Sequence, residues 1–409
     1  MNRLHRLRAA FCAALVMGFA GYGLDAQAQP KGDSVRPEVG KPLQEAQTLS
    51  KAGRHREALA KINDADAVAN KTANESFLIQ RMRGSVASAA GDNDTAIKAF
   101  ESVLSSGKVA GRDQQQMDQA IAVAYYKNKE YARAAQWTQR YFKDGGTDPA
   151  MRTVLLQSYF LGNDCTSVNK MLGSAGEEGN GRKPTEEELQ ILANCYLKQK
   201  DTGGYVGAIE KLVVFYPKKE YWTDLLSRVQ KKPGFSDRLG VNVYRLRLAT
   251  GNLTTAGDYM EMAQLAVQAG VPSEAKAVLD KGYATGILGT GKDAERHGRL
   301  RTLVNKAIEE SQKTRDQDEK EALGAKDGND LVRIGLNYVY EGKADKGLAL
   351  VEQGIKKGGL KRPEDAKLRL GEAQLYAGQK ARAVQTLREV KGNDGAADIA
   401  RLWVLNARV

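Results

Sequence analysis

The chain has 409 residues, 42% of them hydrophobic and 27% charged, with a formal net charge of +12. That composition can bury a core and excludes a generically disordered chain, and the length fits two or three ordinary domains or one long array of repeats. Aromatic residues make up only 7%, small residues are plentiful and alternating Val/Ile/Thr runs are scarce, so closely packed helices are expected and no sheet.

Residues 1–28 read as a cleavable export leader. Arg3, Arg6 and Arg8 precede the apolar stretch 9–23, and Ala26-Gln27-Ala28 offers a small-x-small cleavage site. The apolar stretch is shorter than the ~20 residues a membrane span needs. Cys12 lies inside it and not at a cleavage site, which argues against a lipid anchor. No later stretch approaches span length, so no transmembrane segment is expected once the leader is gone. The leader has bacterial proportions, and the expected compartment is the periplasm. Its removal takes away three arginines and Asp25, leaving +10. The remaining Lys and Arg are spread without a concentrated stripe, which suits solvated helix faces and not a nucleic-acid partner. Residues 29–42, with Pro30, Pro37 and Pro42, read as a flexible polar arm.

From residue 43 to 409 the chain reads as one repeating two-helix unit. The clearest copy starts at Asp330. Leu331, Ile334, Gly335 and Tyr338 share one helix face, Gly342 ends that helix, and Gly347 and Val351 lie on a second. The small residue of the first helix recurs at Ala46, Gly84, Ala122, Ala193, Ala263, Gly335 and Gly371, with Leu156, Leu226 and Val304 filling the remaining copies. Twelve residues later comes a second small residue, at Ala58, Ala96, Ala134, Ala275 and Ala383. This spacing is that of the tetratricopeptide repeat, with its period of about 34 residues. The expected fold is therefore all-α: a tetratricopeptide-type α-solenoid of about ten helix-turn-helix repeats, closed by a capping helix over residues 396–409. Three copies are irregular. Leu156 replaces the small residue of the fourth, the sixth breaks at Lys232-Pro233-Gly234, and in the eighth a polar run, 309–320, blurs the second helix. Thr185 and Glu188 form a capping box, Pro272 and Pro363 suit a first helical turn, and the glycine-rich stretch 174–182 is a loop.

Catalytic chemistry finds little to stand on. Past the leader the histidines are His55 and His297, in different repeats, and no Cys/His spacing suits zinc. The stretch 286–292 has the glycine and lysine spacing of a phosphate loop, but Asp293 stands where a magnesium-binding Ser or Thr belongs. No catalytic residue, cofactor or metal site is expected, and the chain is read as a non-enzyme. Cys165 and Cys195 fall on elements that neighbour each other in a stacked array. Either they form a disulfide or they are two buried thiols. Positions just past each small residue should face a partner-binding groove: Val123, Tyr126, Lys127, Phe160, Asn194, Lys198, Lys231, Gln264 and Tyr340. Aromatic, amide and lysine side chains there suit a protein or peptide segment carrying acidic groups.

Three junctions carry a closer resemblance: Leu212-Val213-Val214-Phe215-Tyr216-Pro217 running on to Trp222; Gln268-Ala269-Gly270-Val271-Pro272 leading to Val278-Leu279-Asp280-Lys281-Gly282; and Gly354-Ile355-Lys356-Lys357-Gly358-Gly359 leading to Pro363. In these the chain resembles the periplasmic tetratricopeptide proteins associated with TonB–ExbB–ExbD energy transduction. The resemblance implies an accessory role in TonB-dependent nutrient uptake, with the periplasmic regions of TonB or ExbD, or a TonB-dependent receptor, as partners. A scaffold for cell-wall or outer-membrane assembly is the alternative expectation.

Overall fold

The computed structural model describes residues 34–174 and 182–409. The leader, the start of the arm and most of the 174–182 loop lie outside the described residues. The chain divides at Gly162 into two units. The first holds α1 (Pro37–Lys51), α2 (His55–Asp66), α3 (Ala73–Ala90), α4 (Asn93–Ser105), α5 (Gly111–Lys127), α6 (Tyr131–Lys143) and α7 (Pro149–Leu161). The second holds α8 (Cys165–Leu172), α9 (Glu186–Lys198), α10 (Thr202–Phe215), α11 (Lys219–Gln230), α12 (Gly240–Ala249), α13 (Ala256–Gln268), α14 (Pro272–Ala284), α15 (Ala294–Gly324), α16 (Asn329–Tyr340), α17 (Ala344–Lys357), α18 (Pro363–Tyr376), α19 (Lys380–Arg388) and α20 (Ala396–Asn406). The described residues form no strand.

In the first unit each helix packs on the next, and α1 meets α3 as α5 meets α7. First helices thus line one face. Val39, Leu43, Ala46, Ala58, Ile62, Ala65 and Ile79 form one core cluster; Phe100, Val103, Met117, Ile121 and Tyr125 belong to the next. Burying each large aliphatic side chain contributes about 1.5–3 kcal/mol. Helix α1 corrects one expectation, because it begins inside the stretch 29–42 read as an arm. Pro37 occupies the first turn, where a missing N–H costs nothing, and Pro42 is carried inside the helix. The stripe Val39, Leu43, Ala46 is buried, and Glu75 grips the backbone N–H and guanidinium of Arg36 at 2.9–3.0 Å. Hydrogen bonds from Arg36, then from the Thr72 N–H, bring the Glu75 carboxyl down to about 2.

The second unit keeps the repeat where its sequence is regular. Gly335 and Gly347 let α16 and α17 touch backbone to backbone: a Cβ on Gly335 would lie 2.6 Å from the Gly347 carbonyl oxygen, and one on Gly347 would lie 2.5 Å from that of Gly335. Thr185 and Glu188 make the capping box of α9, and Pro272 and Pro363 start α14 and α18. Tyr205 stands at a small-residue position in α10; the close approach is made one residue earlier by Gly204, flat against the Tyr196 ring. The Tyr205 hydroxyl instead donates to Asp224 at 2.8 Å, with the Arg228 guanidinium 3.9 Å above its ring.

Cys165 and Cys195 are joined by a disulfide between α8 and α9, with Cα atoms 5.1 Å apart and a separation of 30 residues. Holding a loop of that length restricts the unfolded chain, so Cys165→Ser is expected to cost about 3 kcal/mol of second-unit stability. Denaturant titration of the oxidised protein and the variant would check this; equal midpoints would refute it.

Two irregular repeats depart from the expected stack. The eighth is a single 31-residue helix, α15, with no second helix after a turn. Its polar half is not a solvated blur: Arg315 pairs with Glu341, and Glu319 accepts from Tyr338 at 2.9 Å and pairs with Lys346 at 2.8 Å. With α15 set aside, α16 packs directly on α14. Asn337 donates to the Gly270 carbonyl at 2.9 Å and receives the Ser273 N–H at 3.3 Å. In the sixth repeat, a turn and a short 3-10 helix, Asp237–Leu239, separate α11 from α12. The capping helix spans Ala396–Asn406, and it packs on α10 and α12 as well as on α18 and α19. The second unit therefore folds back on itself; its last repeats do not end in an open, capped stack.

Candidate docking surfaces

In the first unit, α5 carries the predicted groove residues Val123, Tyr126 and Lys127, and α7 carries Phe160. Val123 and Tyr126 pack half-buried on the cluster of Ala122, Tyr141, Met151 and Val154. The Tyr126 hydroxyl donates to Gln157 at 2.7 Å, one turn before Phe160, and its ring meets Tyr131 edge-on at 5.8 Å. Gln119 donates to Asp148 at 2.9 Å across the same pair of helices. Lys127 is exposed at the end of α5, and Leu161, 41% exposed, follows Phe160. The strip is aromatic and amide-rich, with a cation at its edge. An open hollow of about 560 Å³ lies elsewhere, between α1 and α2, lined by charged side chains such as Lys41, Glu45, Arg54 and Glu57.

The five predicted positions in the second unit do not converge. Asn194 donates to the Gln190 carbonyl of its own helix at 2.8 Å, and Lys198 to Asn163 at 2.9 Å. Lys231 is exposed just past α11. Gln264 lines a small cleft of about 270 Å³ beside Glu261, Asp293, Arg296 and His297. The phosphate-loop spacing ends at this cleft, where the Gly289 N–H is given to His297 Nδ1 at 3.2 Å. His55 lies in the first unit, at the start of α2. Among the described residues no group of three His, Cys, Asp or Glu side chains could hold a metal.

Tyr340 corrects the groove expectation. Its hydroxyl donates to Glu274 at 3.2 Å inside a buried polar seam, and its ring meets Tyr376 at 4.5 Å. Arg245 on α12 sits at the centre. Its Nε and Nη2 donate to both Glu274 oxygens at 2.6 Å, and its Nη1 to Glu372 on α18 at 3.0 Å. Glu372 also accepts from Asn242 at 2.9 and 3.0 Å and from Trp403 Nε1 at 2.9 Å. Arg245, Glu274 and Glu372 are all at most 6% exposed. Burial works to raise the Glu274 carboxyl, but the charge and paired hydrogen bonds of Arg245 outweigh it and hold Glu274 below its usual range. Burial wins at Glu372, which has only one contact from Arg245 and stands above its usual range. Arg369 faces the same carboxylates; burial, then the like charge of Arg245, lowers its guanidinium.

The tetratricopeptide repeat family matches residues 81–149 and 332–398. Those two segments carry tetratricopeptide repeats. No curated protein matches it. Similar solved structures include Naa15/Naa10 bound to HypK-THB, at 17% identity and a TM-score of 0.32, covering 88% of this chain and 58% of that one. Others are the TPR2AB domain of yeast Sti1 in complex with pHSP90 (14% identity, TM-score 0.26, covering 89% and 98%) and yeast Tom70 (12%, 0.26, 90% and 95%). The chain spans less than two thirds of the length of the first of these.

The first tetratricopeptide match covers Val123, Tyr126 and Lys127; the second covers α18, with Tyr340 and Glu372 of the seam. There α12 and α14 meet α16 and α18 through Arg245, Glu274, Tyr340 and Glu372. The signal for this was a polar pair inside an apolar run, Asn242 and Arg245 between Val241 and Leu246, three apart on one helix face.

Proposed function

We propose that this protein is an exported, non-catalytic scaffold that docks a partner segment on the inner face of α5 and α7, as an accessory of TonB-dependent uptake in the periplasm. The reading rests on the repeats, whose first helices present a half-buried aromatic and amide strip in the first unit. Phe160, Tyr126 and Val123 would take apolar side chains of an extended or helical segment; Lys127 would meet an acidic one. The Cys165–Cys195 disulfide suits an oxidising compartment, and no described helix is long and apolar enough to cross a membrane. The junction around Gly270-Val271-Pro272, part of the resemblance to TonB-associated proteins, is where α14 receives α16.

A photo-crosslinking residue at Val123 or Lys127, in cells grown under nutrient limitation, tests this. Peptides of TonB, ExbD or a TonB-dependent receptor are expected among the products. Adducts to cell-wall synthases or outer-membrane assembly proteins would move the assignment to envelope assembly. Absence of any adduct at both positions would remove the first-unit face as the docking surface.

A further inference from the structure

The break in the sixth repeat is also a contact surface. Residues 232–245 run along the start of α18, the turn before α20 and α20 itself. Lys232 pairs with Asp398 at 2.8 Å. The Ser236 N–H donates to the Asp394 carbonyl at 2.9 Å. Phe235 packs on Gly395, where an added Cβ would lie 2.4 Å from the ring and a φ of 104° also disfavours a side chain. Arg238 places a two-pronged grip on Asp365, both distances 2.9 Å, and also pairs with Asp394. Asn242 and Arg245 then reach Glu372. A backbone bond, a packed aromatic and an arginine fork are how a bound peptide is held.

We propose that residues 232–239 act as a latch resident on an acidic docking surface made by Asp365, Asp394 and Asp398, and that this surface takes a basic partner segment with an aromatic residue shortly before its arginine. Charge complementarity identifies the occupant: the latch brings Lys232 and Arg238 to three carboxylates. The grip is also graded. Side-chain exposure falls from 53% at Lys232 through 24% at Arg238 to 6% at Arg245. The outer pairs are screened by water and salt and contribute little, whereas the inner one is buried. The outer half can release while Arg245 keeps the seam closed. This inference goes beyond the first-unit docking reading and does not depend on it.

The test uses the full chain and a labelled synthetic peptide of residues 230–247. Arg238→Glu should free the resident segment, so the variant should bind the peptide about tenfold more tightly than the parent, the scale of one charged hydrogen-bonded contact. Adding Asp365→Arg should abolish that gain, and a peptide carrying Arg238→Glu should not bind. In the parent, hydrogen exchange at 232–239 should quicken with added salt while α18 stays protected. That second measurement stands even where Arg238→Glu fails to fold. Equal peptide affinity in the parent and a folded Arg238→Glu variant, binding indifferent to Asp365→Arg, or exchange that rises uniformly across the second unit would each overturn the proposal.

Discussion

Replacing Arg245 by alanine is expected to destabilise the second unit by about 3–5 kcal/mol, the scale seen when one partner of a buried ion pair is removed. The variant strands Glu274 and Glu372, 1% and 5% exposed, without their cation. Asn242 and Trp403 would still donate to Glu372, and Tyr340 to Glu274, but neutral donors do not offset two buried negative charges. Arg369 cannot replace Arg245, because it holds neither carboxylate in an ion pair of 4 Å or less. The deciding comparison is Arg245→Met with Glu274→Gln and Glu372→Gln. This triple variant keeps acceptors for Asn242, Trp403 and Tyr340 and removes the charges. It should recover most of the loss in urea titration. If it is as unstable as Arg245→Ala alone, the seam depends on the shape of the arginine and not on charge balance.

The regular repeats were legible because close helix packing restricts side-chain size at fixed spacing. Gly335 and Gly347 had to be small, and their carbonyls and the missing Cβ atoms explain why. The irregular repeats were legible only as faults. The polar run in α15 looked like a weakened helix because its partners, Glu341, Tyr338 and Lys346, lie on the following repeat. The break at Lys232-Pro233-Gly234 looked like a defect because the groups it meets, Asp365, Asp394 and Asp398, are more than a hundred residues away. Periodicity reports contacts between neighbours along the chain; it is silent on a fold-back that pairs distant charges. Tyr340 was placed in a groove by the same local rule, and the seam that covers it could not be read from its own repeat. In the first unit, where packing follows chain order, Val123 and Tyr126 lie half-buried against the core cluster of Ala122, Tyr141, Met151 and Val154.

Asp118 on α5 should make the first unit lose stability as pH rises from about 4 to about 7. Its side chain is fully buried, and neither carboxylate oxygen has a hydrogen-bond donor. Arg140 Nε lies 3.3 Å from Oδ1, but that guanidinium is 43% exposed and is shared with Asp144 at 3.6 Å. Burial, aided by Asp144 and against the pull of Arg140, raises the carboxyl to about 7. The folded value thus lies above the unfolded one. The folded chain keeps the proton where the unfolded chain has lost it, so the contribution is full below about pH 4, declines with rising pH, and is gone above about pH 7. The difference amounts to about 4 kcal/mol at most, lessened by water reaching Arg140. Asp118→Asn removes the titration while preserving size, so at pH 8 the variant should be the more stable protein and at pH 4 it should lose that advantage. Urea titrations of both proteins at pH 4, 6 and 8 measure this, with Trp137, stacked 4.8 Å from the Arg140 guanidinium, as a local fluorescence reporter. Parallel stability curves across that range would show that a donor reaches Asp118 in solution and that its charge is tolerated.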